Sequence, residues 1–344
     1  MVEEHVFSYN NPFLLESGET LPGFQLHYTT YGRLNEARDN VVWVCHALTA
    51  NAHVLDWWPG LFGPDRLYNP EEHFVVCANM LGSCYGSTGP LSESPTGEPF
   101  YHEFPTLTNR DIVRSFEQLR QHLGVKRLHT LIGGSMGGQQ ALEWTIMQPN
   151  LVRHLVQIAS NAQHSPWGIA FNESQRMAIE HDASWPERSS TAGLGGLRTA
   201  RSVALLSYRH YRTYADTQSE KTNEKIDNFR ASSYQRYQGE KLAHRFNAFS
   251  YWVLSEAMDS HHIGRGRGSV AEVLKSIRTQ CLFIGIDTDV LFPSEEQEFL
   301  ARNTPSAHLS IVASSYGHDG FLIETSALTQ VIRSFYSKTA HIVI

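Results

Sequence analysis

LIGGSMGGQQALEW, residues 131–144, sets one serine among four glycines, with an apolar run leading in and a helix-like run leading out. Gly133-Gly134-Ser135-Met136-Gly137 fits G-x-S-x-G, the pattern of a strand that turns abruptly into a helix. The turn is so tight that side chains two residues either side of the serine would collide. Glycine at 133 and 137 removes that collision. The serine hydroxyl then stands at the carboxyl edge of a sheet. The helix opening at Met136 points its free N–H groups and positive dipole end at the same place. The pattern alone is common in a glycine-rich chain, so its context decides. Here a strand precedes it and a helix follows.

Outward from this hinge the chain alternates. FQLHYTTYG, VVWVCHAL and HFVVCANML read as strands, the last two nearly continuous in apolar residues, as strands buried on both faces are. TNRDIVRSFEQLRQHLG, residues 108–124, places Ile112, Val113, Phe116, Leu119 and Leu123 on one helical face, with Gly124 as the stop. The strand LVRHLVQIAS follows the hinge helix. From about Pro166 to Ile263 strand runs vanish. NESQRMAIEH, LRTARSVALLSYRHYR, SSYQRYQGEKLAHRF and NAFSYWVLSEAM read as helices, and GRGRGS marks the exit. Alternation then resumes with QCLFIGI, SEEQEFLARN and HLSIVAS before a C-terminal helix. This order predicts an α/β fold with a mostly parallel sheet and helices on both faces. Residues 1–165 and 264–344 form its core, and residues 166–263 a helical lid insertion.

Composition narrows the function classes. The 344 residues carry 28 Lys+Arg against 35 Asp+Glu, a net charge of −7, which argues against nucleic acid or an acidic membrane as partner. The acidic start MVEEHVFSYN lacks the basic and apolar regions of a leader, and no apolar run is long enough to span a bilayer, so the cytosol is the expected compartment. Four cysteines form no disulfide framework. Cys45, Cys77 and Cys281 lie in strand-like runs and read as buried thiols; Cys84 lies in a loop. None has the paired Cys/His spacing of a metal site.

A serine nucleophile needs a base, an acid to orient that base, and donors for the oxyanion. The backbone N–H of Met136 supplies one donor, and the N–H of Leu48, in the loop after VVWVC, is the best second. His46 in that loop reads as a packing residue. In the α/β-hydrolase order the acid and then the histidine lie downstream. QCLFIGI runs into DTDVLFP, where Asp287 and Asp289 compete as the acid. HLSIVAS runs into SYGHDGFL, where His318 follows the strand tip beside the small Gly317. Most other histidines read as surface or insertion residues.

At this point the chain resembles the homoserine O-acetyltransferases of the α/β-hydrolase type, enzymes of methionine biosynthesis. The resemblance is carried by YTTYGRLNEARDNVVWVCHALTANAH, NMLGSCYGSTGP, FPTLTNRDIV, GGSMGGQQALEW, GLRTARSVALLSYR, YQGEKLAHRFNAFSYWVLSEAMD, DTDVLFP and GHDGFL. It implies Ser135, Asp289 and His318 as the catalytic triad, choosing Asp289 over Asp287. It implies Arg201 for the substrate carboxylate, Asp319 for its ammonium and Tyr208 as a pocket residue. Acetyl-CoA is then the acyl donor, with no permanently bound cofactor and no metal, and the assembly is a homodimer. HDASWPERSSTAGLGG and the segment between YRTYAD and YQGEK are shorter than is usual in that family. Transfer of succinyl, serine as acceptor, a plain hydrolase and a non-catalytic binding module are the alternatives.

Overall fold

The computed structural model describes residues 1–340. Eight strands form one sheet: β1 (Val2–Tyr9), β2 (Phe24–Tyr31), β3 (Val41–Cys45), β4 (Phe74–Ala78), β5 (Leu128–Gly134), β6 (Val152–Ile158), β7 (Gln280–Ile286) and β8 (Ala307–Val312). Their spatial order is β1-β2-β4-β3-β5-β6-β7-β8. β1 pairs antiparallel with β2, and β2 antiparallel with β4; every other pairing is parallel. The predicted class is therefore observed, with one strand unforeseen. MVEEHVFSYN gave no strand signal, because as an edge strand β1 buries Phe7 alone.

Period two sends alternate side chains of the central strands to opposite faces. In β3, Val41, Trp43 and Cys45 enter one apolar cluster and Val42 and Val44 the other. Helices α1 (Asn109–His122) and α2 (Met136–Met147) cover the first face through Ile112, Val113, Phe116, Leu119, Leu142 and Trp144. Thr108 caps α1, accepting from Asp111 N while the Asp111 carboxylate accepts from Thr108 N, so a capping box fixes its start. The second face is covered by the C-terminal helix (Thr325–Thr339) through Leu328, Ile332 and Phe335.

Between β6 and β7 the chain is helical: α3 (Pro166–Glu180), α4 (Leu194–Tyr208), α5 (Tyr211–Gln218), α6 (Arg230–Ala243), α7 (Ala248–Asp259) and α8 (Val270–Lys275). α9 (Ser294–Asn303) then connects β7 to β8. Ile179, Leu197, Leu242 and Tyr251 of these inserted helices belong to the same apolar cluster as α1 and α2, so the insertion is packed on the core. The sequence reads LRTARSVALLSYRHYR as one helix, but the chain breaks it: Arg209 (ψ 144°) and His210 (ψ 153°) are extended between α4 and α5. The exit segment GRGRGS is pinned electrostatically. Arg267 Nη2 lies 2.5 Å and Arg110 Nε 2.7 Å from Glu143 Oε1 on α2, while Glu16 takes Arg110 and Arg265.

His46, expected to pack, is enclosed, and His129, His154 and His261 are largely enclosed as well. Burial lowers His46 and His154 to about 4, and His129 and His261 to about 3. Each takes up a proton near its ordinary pKa only when the chain unfolds. The unfolded state therefore binds more protons between about pH 4 and 6.5, and stability must fall as pH drops through that window. Thermal midpoints measured from pH 7.5 to 5 should decline steadily; a flat profile would show that these imidazoles are free to protonate in the fold.

Candidate active site

Ser135 sits at the junction of β5 and α2 with φ 56° and ψ −128°, a conformation L-residues rarely adopt. Its backbone is held from β6 and beyond. Ser135 N donates to Ile158 O at 3.0 Å, and Ser160 Oγ donates to Ser135 O at 2.7 Å. The flanking glycines are required, for two different reasons. A Cβ at Gly133 would lie 2.3 Å from Gly137 O, within the turn as expected. A Cβ at Gly137 would lie 2.0 Å from Cys45 O, so there the obstacle is the neighbouring strand β3. The start of α2 therefore rests against the strand whose loop carries Leu48.

That loop is fixed by His46. Its Nδ1 donates to Ala47 O at 2.8 Å, and its Nε2 accepts from Met80 N at 3.2 Å, tying the end of β3 to the segment after β4. Fully enclosed and held neutral by burial, His46 packs as expected. Leu48 faces the same cavity as Ser135, and Met136 opens α2 wholly buried.

The second wall comes from the ends of β7 and β8. Asp289 Oδ1 accepts from Leu291 N (2.8 Å) and Phe292 N (2.9 Å), and Oδ2 accepts from His318 Nδ1 at 2.6 Å. A carboxylate can only accept, so the imidazole proton is assigned to Nδ1, leaving the Nε2 lone pair free. His318 is 3% and Asp289 4% exposed. Phe292 stacks on the imidazole at 5.2 Å between centroids, and Tyr208 lies at 5.7 Å. Asp287 does something else: exposed, it accepts from Ser314 N at 2.9 Å and clasps the two strand ends. Thr288 Oγ1 donates to Ser314 O and accepts from Gly317 N, shaping the turn that presents His318.

Ser135, His318, Leu48, Arg201, Tyr208 and Asp319 line one cavity of about 280 Å³. The Arg201 guanidinium lies 5.4 Å over the Tyr208 ring and has no carboxylate partner among the described residues. Asp319 lies 2.6 Å from Arg209 Nε, a pairing the sequence did not announce. Burial pushes the Asp319 carboxyl up, opposed first by Arg209 and then by Arg201. Burial also raises Tyr208. Arg245, Trp57, Phe321 and the exposed Asp56 also belong to the lining and were missed as site residues. Arg245 Nη1 donates to Thr49 O at 2.6 Å and to Tyr85 OH, holding the loop that carries Leu48 to the insertion. Its only sequence signal was its place in YQGEKLAHRFNAFSYW.

Residues 40–325 match the alpha/beta hydrolase fold family. A homoserine O-acetyltransferase of Cyclobacterium marinum is 51% identical over 334 residues, covering 97% of this chain and 95% of that one. Among solved structures, the homoserine O-acetyltransferase of Bacillus anthracis superposes with a TM-score of 0.90 at 24% identity, over 97% of both chains. Esterase E22 superposes with 0.88 at 24% identity, over 97% of this chain and all of the other. At that identity the two structures speak for the fold alone, and the fold does not separate transfer from hydrolysis.

The contrast between the two aspartates is open to direct test. Asp289→Ala should abolish the strongly downfield Nδ1–H resonance of a buried imidazole in the proton NMR spectrum, and Asp287→Ala should retain it. Loss in both variants would mean that Asp287 also orients His318.

Proposed function

Because the chain belongs to the homoserine O-acetyltransferases, within the alpha/beta hydrolase fold, we propose that Ser135, His318 and Asp289 carry out acetyl transfer to homoserine by a ping-pong route. The chain is an acyltransferase, and homoserine O-acetylation is its reaction. His318 Nε2 takes the Ser135 proton as Oγ bonds to the thioester carbon of acetyl-CoA. The N–H groups of Met136 and Leu48 receive the oxyanion. The carbon–sulfur bond breaks, the thiolate takes the proton from His318, and coenzyme A leaves as a thiol. Homoserine enters, gives its hydroxyl proton to His318 and attacks the acetyl carbon. The Ser135 ester bond breaks and Oγ recovers the proton. Asp289 holds the imidazole in one tautomer and stabilises its charged form throughout.

The observation that carries the acceptor assignment is the charge pattern in the cavity: the Arg201 guanidinium, without a carboxylate partner among the described residues, and the half-buried Asp319 carboxylate share the lining with Ser135. A zwitterionic amino acid satisfies both. Arg201 grips the carboxylate and Asp319 the ammonium, with Tyr208 as a wall, so the hydroxyl is oriented toward the acyl-serine. We assign the inserted helices, residues 166–263, as the lid that keeps water from that intermediate. We also place the enzyme in the cytosol as a homodimer.

Assayed with acetyl- and succinyl-CoA against homoserine and serine, the protein should be fastest with acetyl-CoA and homoserine. Preference for any other pair would overturn the substrate assignment. Asp289→Asn should lower kcat by about 10⁴-fold through the wrong tautomer. Ser135→Ala should show no acetylated protein by mass spectrometry, and retained turnover would refute the nucleophile.

A further inference from the structure

Asp319 faces two ways. It lines the cavity with Ser135 and His318, and its Oδ2 lies 2.6 Å from Nε of Arg209, which stands outside that lining. The Arg209 N–H is not aligned on the oxygen, so the contact is a charge pair that leaves directed hydrogen bonds to another donor. Arg209 is the residue at which α4 ends, and its backbone is pressed against the turn carrying the base. A Cβ at Gly317 would come within 2.8 Å of His210 N and 3.0 Å of the Arg209 carbonyl carbon. Two residues into α5, Thr213 Oγ1 donates to Ser315 O at 2.5 Å. The extended Arg209–His210 pair, where sequence periodicity would continue the helix, is thus the point at which the insertion grips the His318–Asp319 turn.

We propose that Arg209 is a positioning residue for the amino group of the acceptor: from behind the cavity its guanidinium holds the Asp319 carboxylate in place for an ammonium. This rests on the reading of Asp319 as the ammonium partner. The groups facing Asp319 are Arg201, Tyr208 and Arg209 from α4, Tyr214 from α5, Asp289 from the loop after β7, and His318 beside it. Of the two cations, Arg209 is the one within ion-pair distance of Asp319, and it stays there to offset the burial when Arg201 takes the substrate carboxylate. With Arg209 neutral, Asp319 would keep its proton to higher pH and lose its attraction for an ammonium.

The test separates the two half-reactions. In Arg209→Met, acetylation of Ser135 by acetyl-CoA is retained, while the homoserine concentration for half-maximal deacylation rises roughly tenfold or more, one pK unit being a factor of ten. That rise grows as pH is lowered, and Arg209→Lys restores most of it. Arg209→Gln, neutral but hydrogen-bonding, is the second variant should the first not fold, and the same split is expected. With 4-hydroxybutyrate, an acceptor lacking the amino group, neither variant changes the half-saturating concentration. The proposal is overturned if the neutral variants leave homoserine saturation unchanged, if both half-reactions slow equally, or if 4-hydroxybutyrate is affected as strongly as homoserine. Wild-type protein that forms no acetyl-enzyme, or does not pass its acetyl group to homoserine, would instead overturn the reading of the reaction itself.

Discussion

Ser135 holds φ 56° and ψ −128°, a strained conformation that costs about 1–3 kcal/mol and persists only where its surroundings over-determine it. The surroundings here are three neighbouring strands. β5 leads into the serine, β6 anchors its N–H through Ile158 O, and β3 sets its Cys45 carbonyl where any side chain at residue 137 would be. The approach at Gly137 joins two parts of the site. It seats the start of α2 on the strand whose loop carries Leu48, so the two proposed oxyanion donors come from elements in direct contact. A lateral shift of either strand would disturb nucleophile and donors together.

The other proposed catalytic groups reach this point from a different direction. Asp289 and His318 stand at the ends of β7 and β8, and the insertion between β6 and β7 returns to lie over them. Contacts at the α4–α5 break tie that insertion to the histidine turn: Arg209 to Asp319, Thr213 to Ser315, and the ring of Tyr208 beside His318. Arg245 makes the corresponding tie on the other side, to Thr49 and Tyr85. The inserted helices are therefore joined both to the turn that carries His318 and to the loop that carries Leu48. The cavity they border, of about 280 Å³, has room for an amino acid.

What was legible in the sequence follows from how local each signal is. The elbow, the strand–helix alternation and the order Ser135, Asp289, His318 are written in short patterns, and the structure puts Asp289 on His318 and the cavity beside Ser135. Strand and loop pattern alone left Asp287 and Asp289 open, and the resemblance carried by DTDVLFP pointed to Asp289. Both follow β7, and the course of DTD sends Asp287 to Ser314 and Asp289 to the imidazole. β1 escaped notice because an edge strand with Phe7 as its one buried side chain carries little hydrophobic alternation. The break at Arg209 escaped because LLSYRHYR contains no proline or glycine; tertiary contact with Gly317 ends the helix where propensity would continue it. The enclosure of His46 was read from its place at a strand end, but that of His129 and His154 and the role of Arg245 were not, since a single polar residue announces neither its burial nor a partner far along the chain.

The central claim is that the acyl group on Ser135 is reserved for an amino-acid hydroxyl. The most direct measurement is thiol release from acetyl-CoA, followed past the first turnover with and without homoserine. Without acceptor, one burst of coenzyme A per active site should be followed by a stall with acetyl-Ser135 accumulated, and release should become sustained once homoserine is added. Sustained release in buffer alone, at the rate seen with homoserine, would mean that water takes the acetyl group and that the protein is a hydrolase.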